Sequence, residues 1–174
     1  MAVGDIVRGG GGMPLYGSRG TILYYDGVKP SINVQVEIAW SDGNDIDIAC
    51  FWTDKSGMIV GWSWDYGGTG QTTRKDDGPY GVKWDGDNTS GGPEHVHAIY
   101  ANGKLDLSKL TFQVHCNWYS KGEDHTGGNI TVSAGGRSCS LVASDRKGSK
   151  AEPGDPGAII RFDRNGNVTS ITQW

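Results

Sequence analysis

A chain of 174 residues is the size of one domain and is long enough to bury a core without help from disulfides. Its 29 Gly and seven Trp suit turns and aromatic-studded strands better than packed helices, and a formal charge of −4 offers no basic stripe to neutralise phosphates. That argues against nucleic acid as a partner, and the absence of any window near the roughly 20 apolar residues of a spanning helix argues against membrane insertion.

The segment MAVGDIVRGGGGMPLYG lacks the apolar run of a signal peptide, which predicts a soluble, unprocessed and cytoplasmic chain. Cys50, Cys116 and Cys139 are odd in number and too widely spaced for a zinc knuckle, in keeping with a reducing compartment. Strand-like runs then recur at residues 21–25, 33–40, 47–53, 58–64, 95–101, 110–118, 129–133, 138–144, 158–163 and 168–172. In the second run Val34, Val36, Ile38 and Trp40 alternate with polar or small residues, so one face is core. Turn signals separate the runs: Lys55-Ser56-Gly57, Asn102-Gly103, Gly135-Gly136 and Arg164-Asn165-Gly166-Asn167. Helix is reduced to one short turn at Asp106-Leu107-Ser108-Lys109-Leu110. Residues 9–12 and 147–157 read as mobile, the second as a surface excursion between strands. The expectation is an all-β fold, residues 1–174 forming a single β-sandwich of two mainly antiparallel sheets with little helix.

Two acidic segments stand out. In the first, Ser41-Asp42-Gly43-Asn44 leads into Asp45-Ile46-Asp47-Ile48, where strand alternation puts the two carboxylates on one side within about 7 Å and the two Ile side chains in the core. The second, Trp84 to Glu94, gathers Asp85, Asp87, Asn88 and Glu94 in a run with little to bury. A hard divalent ion wanting six to eight oxygens could draw on these groups and on loop carbonyls, and calcium is the sensible choice; solvated turns are the alternative. The second segment is no EF-hand, because Val96 stands where that loop needs its bidentate Glu. Asp163-Arg164-Asn165-Gly166-Asn167 reads as a hairpin turn rather than a metal loop.

Catalytic motifs are weak, and no enzyme is expected. His95 and His97 share one side of a strand at a spacing zinc can use, with His115, Cys116 or His125 as the possible third ligand; exposed strand histidines are the alternative. Cys116 and His115 point to opposite sides of their strand, and no Gly-x-Ser-x-Gly is present. Most tryptophans belong in the core, but Trp62 and Trp64 share a face and Trp84 adjoins the acidic loop, making the three a candidate ligand or partner surface.

In order along the chain, VEIAW, SDGN, DIDIACFW, GWSWDYGG, GDNTSGGPE and LDLSK resemble the TerD family of tellurite-resistance and stress-response proteins, as a distant member. The resemblance implies a calcium-binding β-sandwich whose two acidic segments meet at one edge. Carried over by position, the ligands are Asp45, Asp47, Asp87, Asn88 and Glu94. Gly91-Gly92-Pro93 stands where the family carries further acids, which lowers the negative charge of the second segment. Two further functions fit the composition: a structural subunit of a phage or secretion particle, self-assembling or bound to a protein partner, and a carbohydrate-binding module using Trp62 and Trp64.

Overall fold

The computed structural model describes residues 32–40, 43–63, 80–100, 106–120, 129–146 and 148–174, with the short strands at 15–16, 22–23 and 72–73. In chain order the strands are β1 Leu15–Tyr16, β2 Ile22–Leu23, β3 Ile32–Ala39, β4 Asp45–Thr53, β5 Ile59–Ser63, β6 Thr72–Thr73 and β7 Tyr80–Trp84. They continue with β8 Glu94–Tyr100, β9 Thr111–Ser120, β10 Ile130–Ala134, β11 Arg137–Leu141, β12 Gly157–Phe162 and β13 Val168–Gln173. Each of the ten expected runs contains a strand among its described residues. The sequence reading missed β1, β6 and β7; the last alternates Tyr80, Val82 and Trp84 with Gly81 and Lys83 but follows directly on a Gly-rich stretch.

Two antiparallel sheets form a sandwich. One has the order β11-β10-β3-β8-β7-β6 and the other β13-β12-β9-β4-β5, with β1 and β2 paired separately. The inward residues follow the period of two: Val36 and Ile38 of β3, Val96 and Ala98 of β8 and Val132 of β10 meet Ile46, Ile48 and Cys50 of β4, Val114 of β9 and Ile160 of β12 in one core. Trp52 anchors it, edge-on to Phe112 at 5.3 Å and tilted against Phe162 at 5.4 Å. Such aromatic pairs add about 0.5–1.5 kcal/mol each beyond their buried area. Cys50, Cys116 and Cys139 are all free thiols. Among the described residues no helix is long and apolar enough to cross a membrane.

The only helix among the described residues is the expected turn, a 3-10 helix at Leu107–Lys109. Its Asp106 cap accepts hydrogen bonds from the Ser108 amide (3.1 Å) and hydroxyl (2.6 Å). The 163–167 turn is likewise a hairpin connection. Asp163 Oδ1 takes the amides of Asn165 and Asn167, and Oδ2 takes the Asn167 side chain at 2.8 Å, so this carboxylate is spent on its own loop.

The excursion after β11 differs from its expected mobility; its described residues form a strap bonded to the outer face of the second sheet. Trp118 donates its amide to the Ser144 carbonyl and Cys116 to that of Pro156, both at 2.9 Å. Asn117 accepts from the Ser144 hydroxyl and the Arg146 amide, both at 3.0 Å, and donates to the Ser149 carbonyl. At Gly157 a Cβ would stand 2.2 Å from the Val114 carbonyl oxygen, so the strap rejoins the sheet only because that residue has no side chain. Its charges pair with one another: Arg146 grips Asp155 through Nη2 to Oδ2 at 2.6 Å. Residues 9–12 and 102–103 lie outside the described residues.

Candidate functional site

The two acidic segments meet because of where the chain changes sheets. The link from β3 to β4 crosses from the first sheet to the second, while residues 85–93 close the β7–β8 hairpin inside the first. Ile38 pairs with Glu94, so the crossover begins beside the end of that hairpin. Trp40 holds both. Its indole Nε1–H donates to the Asn44 carbonyl at 2.7 Å, and Gly92 lies so close to its ring that a Cβ would fall 2.7 Å from Cε3.

Within this frame the carboxylates are not on a polar, solvated side, as strand alternation alone suggests. All nine residues of β4 are buried: the even positions face the inter-sheet core, and Asp47 shares the other face with its β9 partner Asn117, on which the strap is fastened. Asp45 is 8 % exposed, Asp47 7 % and Glu94 4 %. Asp45 Oδ1 and Asp47 Oδ2 are buried with no hydrogen-bond partner. Glu94 Oε1 accepts the Asn88 amide at 2.9 Å.

Burial pushes the Asp47 carboxyl up to about 7, helped by the charges of Asp45 and Asp87 and partly opposed by Lys150. It pushes Glu94 up to about 8, against the Asn88 hydrogen bond and with Asp87, Asp45 and Asp47 adding to the rise. Asp45 is raised by burial and then by Asp87. Four carboxylates therefore feel one another, three of them buried, and a cavity of about 270 Å³, lined by Asp85 to Asn88 and Pro93 to His95, opens onto two of them, Asp87 and Glu94. Asn88 serves the group through its backbone, because its side-chain oxygen accepts the Ser90 amide at 3.3 Å. Among the described residues no three His, Cys, Asp or Glu groups already stand at ligand spacing, so an ion would have to draw the two segments inward.

Lys150, Trp40 and Gly92 were not singled out by sequence reasoning for this site. Trp40 carried a signal, since it closes its strand directly before the acidic loop; Lys150 carried none, lying about a hundred residues from Asp47.

The histidines occupy other positions. On the outer face of the first sheet His95 Nε2 pairs with Glu37 at 3.0 Å, while His97 pairs with Asp85 at 2.8 Å and Asn33 at 3.1 Å. His115 is buried on the second sheet, stacked on Phe51 and bonded through Nδ1 to the Asp155 carbonyl; burial holds it below its ordinary pKa. Cys116 faces the core. Neither His115 nor Cys116 joins His95 and His97, and His125 lies outside the described residues. Of the aromatic trio, Trp62 pairs in register with Phe51 and Trp84 with Val96, whereas their side chains and the whole of Trp64 fall outside the described residues.

No family model matches the chain, and neither a curated protein nor a solved structure is significantly similar to it.

Proposed function

We propose that the protein is a non-catalytic, calcium-binding β-sandwich of TerD-like type that works as a binding or scaffold module, with a cytoplasmic role in stress response as its setting. One observation carries the reading: Asp45 Oδ1 and Asp47 Oδ2 are buried and unpartnered beside Glu94 and Asp87. Folding brings like charges together out of water here and supplies no donor to these two oxygens, an arrangement that a hard cation stabilises. Asp45, Asp47, Asp87 and Glu94 would supply the charged oxygens, and loop carbonyls with Asn88 the neutral ones. Three nearby acids beyond the first give the group the charge that favours calcium over a monovalent ion. The order of the acidic motifs, with the Asp106-capped turn after them, supports the family likeness.

The test is a thermal melt of chelator-treated protein with calcium, magnesium or zinc added back. At a hundredfold excess over Kd a single ion adds about 2.7 kcal/mol, a rise of roughly 5–10 °C for a domain of this size. A rise with calcium alone supports the site. No shift with any of the three overturns it and returns the chain to the structural-subunit reading, with the carboxyls held by protons.

A further inference from the structure

β4 ends about 20–26 Å from Asp47 and Asp45, at about 3.3 Å per residue, on a surface of opposite character. Thr53, Thr111 and Arg161 lie in one cross-strand row over β4, β9 and β12, with Gln113 and Ile159 in the next row. The strap fastens to the His115 and Asn117 end of the face and leaves these rows as the floor of a cavity of about 310 Å³. Lys55, from the β4–β5 turn, and Lys109, from the 3-10 turn, flank it.

Three cations therefore converge on one cavity of a chain whose net charge is −4. Among the described residues none of the three forms an ion pair, and there Arg161 donates to the Thr172 hydroxyl, at 3.1 Å. The one acid on the lining, Asp54, is occupied by its own turn, its Oδ1 taking the Ser56 amide and hydroxyl (2.8 and 2.6 Å) and the Met58 amide (3.0 Å). The neighbouring Asp106 caps the 3-10 turn in the same way. Both carboxylates bond to their local turns and keep their charge, and Lys109 lies near enough to help hold Asp106 ionised, but none of the three cations is bound directly by a carboxylate among the described residues.

We propose that this cavity binds a tetrahedral oxyanion, phosphate or sulfate, carried as an ester on a small polar molecule. The guanidinium of Arg161 offers a planar fork to two oxygens, Lys55 and Lys109 act as point charges on the others, and the Thr hydroxyls and Gln113 meet the polar remainder. The volume lies at the small end of ligand cavities, more than an inorganic anion fills. The site is separate from the acidic group and does not depend on calcium.

The experiment is an amide-resolved NMR titration of the full chain with glucose 6-phosphate, glucose 6-sulfate and glucose, repeated on Lys55→Gln/Lys109→Gln/Arg161→Gln. All three side chains are exposed, so the variant should keep the parent spectrum away from the cavity. Saturable shifts confined to residues 53–57, 107–113 and 159–161 with either ester, absent with glucose and weakened about tenfold or more in the variant, are expected. The stronger of the two esters identifies the anion. No saturable shift with either ester at millimolar concentration, equal shifts with glucose, or shifts that survive in the variant would each overturn the proposal.

Discussion

Two buried acidic groups lie on the second sheet, and their fates are opposite. Asp155, 6 % exposed, would be raised by burial alone, yet Arg146, the Glu152 amide and the Ser144 hydroxyl supply four hydrogen bonds that hold its carboxyl below the ordinary range. Asp45 and Asp47 are buried as deeply, keep an unpartnered oxygen each and are raised. Burial is the same; the supply of donors differs. A carboxylate provided with donors belongs to the architecture of its neighbourhood, whereas one denied them marks a place where the protein has left room for a proton or a cation.

The comparison breaks most sharply at Asp155. Asp155→Ala should cost about 3 kcal/mol or more, because the half-buried Arg146 guanidinium loses its nearest carboxylate and the Glu152 amide loses its acceptor, and a lowered denaturant midpoint would show it. Asp45→Asn with Asp47→Asn should do the reverse in chelator: the melt holds or rises as repulsion is relieved, while the calcium-dependent gain of about 2.7 kcal/mol disappears.

Next comes pH. Asp47 and Glu94 have folded values above their unfolded ones, so their contribution is complete below the ordinary carboxylate range and is lost as pH rises through about 7 to 8. Metal-free protein should lose on the order of 5 kcal/mol between pH 5 and 8, and saturating calcium should abolish that fall. Asp155 has the opposite sign, stabilising above its unfolded value and failing as pH drops through its depressed one. Melts across the range should therefore show a weakly acidic optimum without calcium and a plateau toward alkaline pH with it. The smallest effect belongs to Asp87→Asn at the exposed rim, within about 0.5 kcal/mol on the metal-free fold. Calcium affinity, read by calorimetry, should still fall; an unchanged value would remove Asp87 from the ligand set.

Strand positions were legible because alternation is written locally: VQVEIAW states its buried face in seven residues. The convergence of the two acidic segments was legible, since Asp45, Asp47, Asp87 and Glu94 are electrostatically coupled in the folded chain. Its burial was not legible. What fastens over the outer face of β9 and brings Lys150 to Asp47 is a strap of Pro, Gly and charged residues, a composition that reads as mobile because local rules cannot see Arg146 finding Asp155. Gly92 against Trp40 was equally invisible: a contact between residues 52 positions apart leaves no periodic trace. The histidine pair illustrates the same limit from the other side, for its spacing was right for zinc while the facing strand supplied Glu37 and Asn33 instead.

The strap also makes the two sheets unequal. The first carries its histidine pairs on an outer face, whereas the middle of the second is enclosed between the core and a third layer of chain. Opening β4 to solvent requires the strap to lift or a neighbouring strand to peel away. Its amides and those of β9 should therefore be the last in the molecule to exchange with deuterated water, well after those of β3 and β8, so the slowest-opening unit is anchored by the segment with the least regular structure.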